Sequence, residues 1–405
     1  MSDQSFPTPS PNPLDRLHVT DGLMINAQRW RLAHTYSRKR QNLHYQSLNQ
    51  PGIVCGLGVH PTSAPAGVQS KFQTGWLKVK PGIAIDGEGN PIIIDRPMEF
   101  RITDPKPSKT QPIIVYLVVS YVDPEELSLR NDNDVVRETF RIDQKTDPPS
   151  HLEVEICRIN LEPGTVQIGQ PEEVLFPQVN ELDLRYRIAA RSRPQVVVKT
   201  AMLSPQASRG MMSEAEGKYC RENLAFLMHS VESLDPRMQG ISEIEQIYFI
   251  GNEDFDLLYL TEKQTRELDN NQLEILGGYL ETGRTVLIEI PIDDDLNQNF
   301  KELTDWGKEE FNLNFIDWDR LITDHLLKVH PFLFAIPPTV NYEPIELFLG
   351  GGMILIIGSL SKAWGINEHT LPRTEIRTAQ EFGINLLYFA WYRRHQTQLL
   401  EVVSE

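Results

Sequence analysis

The spacing of apolar and polar positions changes along the chain and separates it into regions of different secondary structure. Residues 1–13 are rich in Ser, Pro and Asn, a composition that predicts a flexible arm. Asn26 then precedes apolar residues at helical spacing, which predicts an N-capped helix from Ala27 to Leu48. Between residues 51 and 180 the period shortens to that of strands, with Gly, Pro and Asp at the turns. We expect this region to form a β-sandwich or barrel-like domain.

The strands predicted in this region are rich in β-branched residues and are bounded by turn dipeptides. The polar stretch 123–150 separates the last two of them and predicts a protruding loop. The predicted strands are Ile53–Val59, Trp76–Val79, Ile92–Ile94, Ile113–Val122 and Leu152–Ile159.

Strands and helices alternate after Pro194, where a charged segment ends and a domain boundary is predicted. Thr261 and Gln264 have the spacing of a capping box, and the nearly all-apolar run that follows is typical of a strand buried on both faces. This pattern predicts an α/β domain with a doubly wound, mainly parallel sheet. Its predicted strands are Val196–Val198, Leu257–Leu260, Thr285–Ile290, Phe332–Ile336 and Met353–Ile357, and its predicted helices are Arg221–Leu234, Gln264–Glu281 and Thr374–Arg394.

The expected fold class is therefore α+β with more than one domain. A length of 405 residues exceeds one ordinary hydrophobic core, and 40% hydrophobic residues are enough to fold it. We expect a flexible arm over 1–13, a helix with a β-rich adaptor domain over 14–190, and an α/β domain over 191–405.

Net charge and apolar runs limit the classes of partner. A formal charge of -17 argues against nucleic acid and anionic membranes, which need a basic surface. The N-terminus has no basic start followed by an apolar core, so no secretory signal is expected. The longest apolar run, Ile345–Leu360, contains Glu346 and three glycines and predicts a buried strand with a turn. We expect a cytoplasmic protein.

The predicted first helix carries aromatic side chains along one face. Trp30, His34, His44 and Tyr45 share that face, and Trp76 follows in a predicted strand. Such a stripe is more often core packing, but it also suits a helix that grips a partner. We therefore name these five residues as the candidate partner-binding site.

The candidate catalytic motifs are incomplete, so no catalytic residue, metal site or cofactor is expected. Cys55, Cys157 and Cys220 lack metal-ligand spacing, and only Cys220 has a favourable position, at the start of a predicted helix. Ser359 and Lys362 fit a Ser-x-x-Lys pattern, in which Lys would act as base towards Ser, but the companion motifs are missing.

One acidic cluster is chemically suggestive. Asp293, Asp294 and Asp295 follow the predicted strand Thr285–Ile290, at the sheet edge where α/β domains bind ligands and where carboxylates can hold Mg²⁺. A solvated acidic loop explains the same residues. The cluster nevertheless supplies an alternative function, a hydrolase or ligand-binding sensor that uses this edge.

Two stretches resemble known families. The segment LHVTDGLMINAQRWRLAHTYSRKRQNLHYQSLNQPGIVCGLGV, followed by LKVKPGIAIDGEGNPIII, resembles the N-terminal part of baseplate and tail-fibre-type proteins of phage-tail-like contractile injection systems. In that family a helix leads into a Pro-Gly-Ile-Val-x-Gly-Leu strand and a Pro-Gly-x-Ala-Ile-Asp-x-x-Gly hairpin. The match covers residues 17–97.

The second resemblance covers residues 196–395. The stretches FDLLYLTEKQTRELDNNQLEILGGYLETGRTVLIEIP and RTAQEFGINLLYFAWYRRH are similar to a bacterial domain family of unknown function with a flavodoxin-like or glutamine-amidotransferase-like sheet. This resemblance implies a fold and little chemistry.

Together these resemblances imply a structural subunit in the baseplate region of a contractile injection particle. Its partners would be other baseplate, tube or tail-fibre subunits. By analogy with tail-fibre proteins it would be a homo-oligomer, with a trimer as the analogous state. Membrane contact would occur only through the assembled particle. The N-terminal half would dock, and the α/β domain would bind or anchor.

Overall fold

The computed structural model describes residues 9, 12–69, 72–103, 112–123, 137–162, 164, 167–204, 213–293, 295–365 and 371–400. The chain divides into two compact units, Met1–Arg193 and Pro194–Glu405, and each has hydrophobic core residues of its own. Most of the arm predicted over 1–13 lies outside the described residues. Among the described residues, no helix is both long and apolar enough to cross a membrane.

The helices are α1 (Ala27–Leu48), α2 (Glu214–Leu234), α3 (Glu262–Thr265), α4 (Asn270–Glu281), α5 (Leu296–Phe311), α6 (Leu326–Val329) and α7 (Arg373–Leu400). The strands of the first unit are β1 (Asn49–Gln50), β2 (Gly52–Gly56), β3 (Val59–Pro61), β4 (Trp76–Val79), β5 (Gly82–Ile85), β6 (Pro91–Ile94), β7 (Met98–Arg101), β8 (Ile113–Val122), β9 (Thr139–Lys145), β10 (Glu153–Leu161), β11 (Leu182–Asp183) and β12 (Arg191–Ser192). Those of the second unit are β13 (Val196–Val198), β14 (Thr200–Leu203), β15 (Met238–Gly240), β16 (Glu245–Ile247), β17 (Leu257–Thr261), β18 (Thr285–Ile290), β19 (Ile316–Asp317), β20 (Thr339–Val340), β21 (Glu343–Pro344), β22 (Glu346–Gly350) and β23 (Met353–Ile357).

The first unit combines α1 with small antiparallel sheets around one core. Three-stranded sheets have the orders β2-β5-β6 and β3-β4-β7, a four-stranded sheet has the order β11-β10-β8-β9, and β1 pairs with β12. Fully buried side chains from all three larger sheets, among them Leu77, Ile92 and Leu117, meet in the common core. The predicted α+β organisation is present, with the strands distributed over several small sheets.

Two strand predictions in this unit need correction. The run Ile53–Val59 is divided between β2 and β3, because Gly56 and Leu57 both have positive φ and turn the chain. The segment predicted as a protruding loop contains β9. Phe140 and Ile142 lie two residues apart on this strand, on the same face, and pack against the core. Residues 124–136 of that loop lie outside the described residues.

The second unit is built on a seven-stranded mixed sheet of order β16-β14-β17-β18-β23-β22-β19. The pairings from β16 to β23 are parallel, whereas β22 pairs antiparallel with β23 and with β19. The apolar run Ile345–Leu360 forms this β22–β23 hairpin, with Gly351 at φ +58 in its turn. Core residues cover both faces of the sheet. The sheet is mainly parallel, as expected, with four parallel pairings out of six, and the β22–β23 hairpin and β19 make it mixed.

Two further element predictions in the second unit are wrong. The helix predicted over Gln264–Glu281 is interrupted, because α3 ends and α4 starts afresh at Asp269, whose carboxylate accepts the Gln272 N–H at 3.0 Å. The segment Phe332–Ile336 is not a strand. The Asn385 side chain of α7 accepts the Phe332 N–H at 3.0 Å and takes the place of a neighbouring strand.

Candidate functional site

Helix α1 is unusual in the first unit because it lies on the surface along its whole length. Asn26 caps it as predicted, by accepting the Arg29 N–H at 2.9 Å, and the helix runs over the predicted residues. None of its 22 residues, all of them described, is buried. The interpretation of its aromatic face as core packing is therefore wrong.

A short polar stripe holds α1 to the β-rich part of its unit. Arg38 Nη1 donates to Asp123 Oδ2 at 2.6 Å, Asn42 Nδ2 donates to Asn90 Oδ1 at 2.7 Å, and Gln46 Nε2 donates to the Glu88 carbonyl at 2.5 Å. These three helical residues are four apart and so lie on one face. All three lie in the C-terminal half of the helix.

The loop that contacts α1 is the β5–β6 turn, which contains the Asp-x-x-Gly segment Asp86–Gly89. Asp86 Oδ1 accepts the N–H groups of Glu88 and Asn90 at 2.9 and 2.8 Å and fixes the turn. Gly89 has φ +80, and a Cβ there would lie 2.7 Å from the Asn42 carbonyl oxygen. The motif glycine therefore allows the helix backbone to approach the turn closely.

The candidate partner-binding residues lie mainly along the outward side of this helix. Trp30 is 55% exposed and meets His34 edge-on, with ring centroids 5.1 Å apart. His44 is exposed and Tyr45 half-buried, with centroids 6.4 Å apart. Their stripe is rotated by roughly 110° from the anchoring stripe, at about 100° per helical residue. Trp76 is on β4, half-buried, and donates Nε1–H to the Phe72 carbonyl at 2.8 Å.

The charge of α1 is opposite to that of the chain. The helix contains five cationic and no acidic side chains, whereas the whole chain has a formal charge of -17. The cationic residues are Arg29, Arg31, Arg38, Lys39 and Arg40. An exposed helix with aromatic and cationic side chains can bind an acidic protein surface that has an apolar groove.

The second unit contains a cavity of about 460 Å³ at the carboxyl ends of its parallel strands. Its lining combines the ends of β17, β18 and β23 with the first turns of α2. The lining residues are Ala215, Glu216, Tyr219, Cys220, Tyr259, Thr261, Glu262, Lys263, Glu289, Pro291, Gly358, Ser359, Ser361 and Lys362. This is the edge at which the sequence predicted a ligand site.

A hydrogen-bonded cluster around Glu289 forms the polar part of the cavity. Glu289 Oε1 accepts the Ser361 N–H at 2.8 Å, and Oε2 accepts the Tyr259 and Ser361 hydroxyls at 2.5 Å each. Burial raises the pKa of Glu289 despite these donors. Burial and the nearby Glu289 raise the pKa of Tyr259 well above 10, so its phenol stays protonated.

Residues of the incomplete motifs meet in this cavity, although sequence patterns did not connect them. Ser359 and Lys362 line it together with Cys220. Cys220 does not start a helix, since it lies in the second turn of α2, and burial raises its thiol pKa to about 11. Glu289 and Tyr259 were missed. The available signal was a single carboxylate in the otherwise apolar strand β18.

The acidic cluster predicted at residues 293–295 follows β18 at the same sheet edge but is separate from the cavity. Asp293 and Asp295 are exposed, and Asp293 Oδ1 accepts the Asp295 N–H at 3.1 Å, while Asp294 lies outside the described residues. Neither described aspartate lines the cavity. Within the described ranges, no three His, Cys, Asp or Glu side chains are grouped so that they could hold a metal.

Comparisons with known proteins give little beyond this geometry. No protein-family model matches the chain, and no curated protein matches it. A solved structure titled "Crystal structure of TssK" is similar to it at 9% sequence identity with a TM-score of 0.25. The alignment covers 56% of this chain and 49% of that one, so the chain matches about half the length of that protein. A likeness of this extent defines neither fold nor function.

Proposed function

We propose that the protein is a structural subunit in the baseplate region of a contractile injection particle, and that α1 docks it to another subunit. The observation that carries the proposal is a 22-residue helix with no buried residue and an exposed aromatic stripe. A helix is only marginally stable in water without tertiary contacts, so a helix exposed on this scale is expected to be covered in its functional state.

The chemistry of α1 indicates the kind of partner surface. Trp30 supplies a large apolar contact, and aromatic residues are enriched where interfaces are most stable. Arg38 already pairs with Asp123, and the cationic balance of the rest of the helix favours negative charge opposite it, because a desolvated like-charge contact is unfavourable. The partner surface is therefore acidic with an apolar groove. The acidic balance of this chain makes a sister copy one candidate for it.

The assignment to a contractile injection particle rests on the resemblance of residues 17–97. The motif residues have a physical task in this chain, since Asp86 and Gly89 shape the turn that anchors α1. The proposal has three further parts. The protein forms a homo-oligomer as tail-fibre proteins do, its α/β unit binds or anchors, and it contacts membranes only through the particle.

The test is purification of the tagged full chain from its native cells, with mass spectrometry and negative-stain microscopy of what accompanies it. We compare the wild type with a Trp30→Ala/His34→Ala double variant and with Tyr248→Ala. Tyr248 is a matched control because it is 48% exposed and lies in the other unit. Thermal melting of each purified variant verifies that it is folded.

The proposal predicts sheath, tube and baseplate proteins with the wild type and with Tyr248→Ala. It predicts their loss from the double variant, whose melting temperature should be unchanged because no buried contact is removed. Recovery of the wild type without any particle component would refute the assignment to an injection system. Normal assembly of the folded double variant would refute the role of α1.

A second candidate function, a hydrolase or ligand-binding sensor, is favoured by one specific observation. The cavity at the sheet edge is lined by three carboxylates, two phenols, one thiol, three aliphatic hydroxyls and two lysines. The raised pKa of the Cys220 thiol leaves it protonated at neutral pH and argues against its use as a nucleophile. Ligand binding is therefore the form of this alternative that we develop.

A further inference from the structure

We infer that the cavity of the second unit binds a small amphipathic anion, with an apolar body inside the cavity and one carboxylate or phosphate group at the two lysines, Lys263 and Lys362. This inference does not depend on the docking role of α1. It concerns the cavity defined above by the ends of β17, β18 and β23 and the first turns of α2.

The size and walls of the cavity fit a small organic molecule. Its volume of about 460 Å³ falls in the range of roughly 300–1,000 Å³ that is usual for ligand pockets. Ala215, Tyr219 and Pro291 offer apolar or aromatic surface, and Tyr259 and Cys220 continue it inwards. A ligand therefore needs an apolar body of several carbon atoms to displace water from these walls.

The carboxylates that line the cavity are already engaged by the protein. Glu262 is buried and pairs with Arg266 at 2.7 Å. Glu216 accepts both the N–H and the hydroxyl of Ser213 at 2.9 Å in a capping box. Glu289 accepts three hydrogen bonds from Ser361 and Tyr259. Of these three carboxylates, only Glu262 has a close cationic partner among the described residues, and the charges of Glu216 and Glu289 are opposed over a longer distance by Lys263 and Lys362. The carboxylate oxygens nevertheless already have hydrogen-bond donors, which a cationic ligand would have to displace.

The two lysines differ from the carboxylates in this respect. Lys263 and Lys362 are both exposed and both line the cavity. In the part of the chain that the structure describes, neither ammonium group forms an ion pair or a hydrogen bond. Lys263 lies at the start of α3, and Lys362 lies in the segment after β23. Two such cations at one opening attract an anionic group.

The Glu289 cluster adds a second recognition feature inside the cavity. A half-buried carboxylate lies in the largely apolar strand β18 and is held by groups from β17 and from the segment after β23. Apolar residues would join these three strand ends at lower desolvation cost, and buried polar networks of this kind concentrate at functional sites. Ser361 and Tyr259 can accept a further hydrogen bond from a ligand hydroxyl or amide.

Isothermal titration calorimetry and thermal melting of the full chain test the inference. The probes are octanoate and octyl phosphate, which distinguish the two head groups. The uncharged 1-octanol has the same chain, and inorganic phosphate has no chain. The variants are Lys263→Met, Lys362→Met and Ala215→Trp, with Lys301→Met as the matched control. Lys301 is exposed on α5 and does not line the cavity.

We expect octanoate or octyl phosphate to raise the melting temperature in a dose-dependent manner, and 1-octanol and inorganic phosphate to do so much less. Each cavity lysine variant should bind about tenfold more weakly, because one charge-assisted contact is lost. Ala215→Trp, at an exposed position on the rim, should block binding without unfolding the protein.

Three results would overturn the inference. The first is an absence of binding by both anionic probes. The second is equal binding of 1-octanol and octanoate, which would remove the role of charge. The third is an equal loss of affinity in Lys301→Met and in the cavity lysine variants, which would indicate unspecific attraction.

Discussion

Gly89 is a residue at which a single methyl group should have a large effect. We predict that Gly89→Ala detaches the C-terminal half of α1 from the β5–β6 turn. A Cβ would meet the Asn42 carbonyl oxygen at 2.7 Å, and φ is +80. The backbone conformation alone costs about 1–3 kcal/mol in a non-glycine residue. Limited proteolysis of α1 and urea unfolding measure the effect.

Gly67→Ala is the matched control for this substitution. Gly67 has φ +88, but a Cβ there would meet no atom within 4 Å. Gly67→Ala therefore imposes the same kind of backbone strain as Gly89→Ala but causes no steric clash of the added Cβ. Equal protease sensitivity of α1 in both variants would show that close approach is not what Gly89 provides.

Asn385 is the second residue with a specific stabilising role. Its side chain is fully buried, accepts the Phe332 N–H at 3.0 Å, and donates to the carbonyls of Leu327 and Phe332 at 2.9 and 2.7 Å. We predict that Asn385→Ala lowers the free energy of unfolding by about 2–4 kcal/mol, because buried backbone groups lose their partners. Chemical denaturation measures this.

Asn385→Asp is the informative companion variant. It keeps an oxygen that can accept the Phe332 N–H but cannot donate to the two carbonyls when ionised. It should destabilise the protein increasingly as pH rises and the buried carboxyl group ionises. A pH-independent loss equal to that of the alanine variant would contradict this account of the side chain.

At the residue scale, the sequence predicted part of the candidate site. The stripe Trp30, His34, His44 and Tyr45 was visible because helical spacing alone determines which residues share a face. The cavity residues Tyr259, Glu289 and Ser361 were not visible as a group, since they come from three strand ends that only the sheet order brings together.

At the scale of elements, α7 is joined to the strand ends by a charged cluster. Arg394 donates to Asp254 at 2.6 Å and to Asp256 at 3.2 Å, and Lys199 also pairs with Asp254. Partial burial raises the pKa of Asp254, but the hydrogen bonds and charges of Lys199 and Arg394 outweigh it and lower that pKa to about 2. The carboxylate therefore stabilises the folded state while it is ionised.

We predict that Asp254→Asn lowers the melting temperature at neutral pH. Because the folded pKa lies below the ordinary value of 3.8, the contribution of Asp254 is fully present above 3.8 and disappears as pH falls towards about 2. The difference between wild type and variant should shrink over that interval. Calorimetry at several pH values measures it.

Asp305→Asn, at an exposed position on α5, is the control and should melt like the wild type. A difference between Asp254→Asn and the wild type that persists unchanged below the interval would contradict the pairing. The predicted end of α7 at Arg394 is wrong, because this helix continues to Leu400. Arg393 and Arg394 instead form tertiary contacts within the helix, with the Arg284 carbonyl and with Asp256.

Element predictions succeeded where local signals were complete. The helix α1 has a cap at Asn26, and the strands β4, β8, β18 and β23 were predicted with the observed bounds. Prediction failed at Phe332–Ile336, where an apolar run receives its backbone partners from Asn385, far away in sequence. Periodicity describes one segment at a time and cannot identify such a partner.

At the scale of the whole molecule, the division between Arg193 and Pro194 leads to a direct prediction. Each unit has its own buried core residues. We predict that residues 1–193 and 194–405, expressed separately, each fold and each show one cooperative thermal transition. Circular dichroism during heating checks this. Failure of either piece to fold alone would show that its core depends on the other unit.

The overall class of the fold was predictable, whereas the order of its strands was not. An α+β chain with a β-rich first half follows from the change in apolar period. The mixed sheet does not, because Ile345–Leu360 forms a hairpin whose second strand, β23, inserts beside β18. The spacing of apolar residues within a strand does not identify the strand that pairs with it.

The ends of the seven-stranded sheet also determine how the second unit can meet other chains. Its edge strands, Glu245–Ile247 and Ile316–Asp317, have only three and two residues. Such short edges offer too few backbone groups for an incoming strand to extend the sheet. The short edge strands therefore disfavour edge-to-edge pairing of this sheet with other chains. A partner at these two edges would be recognised mainly through side chains.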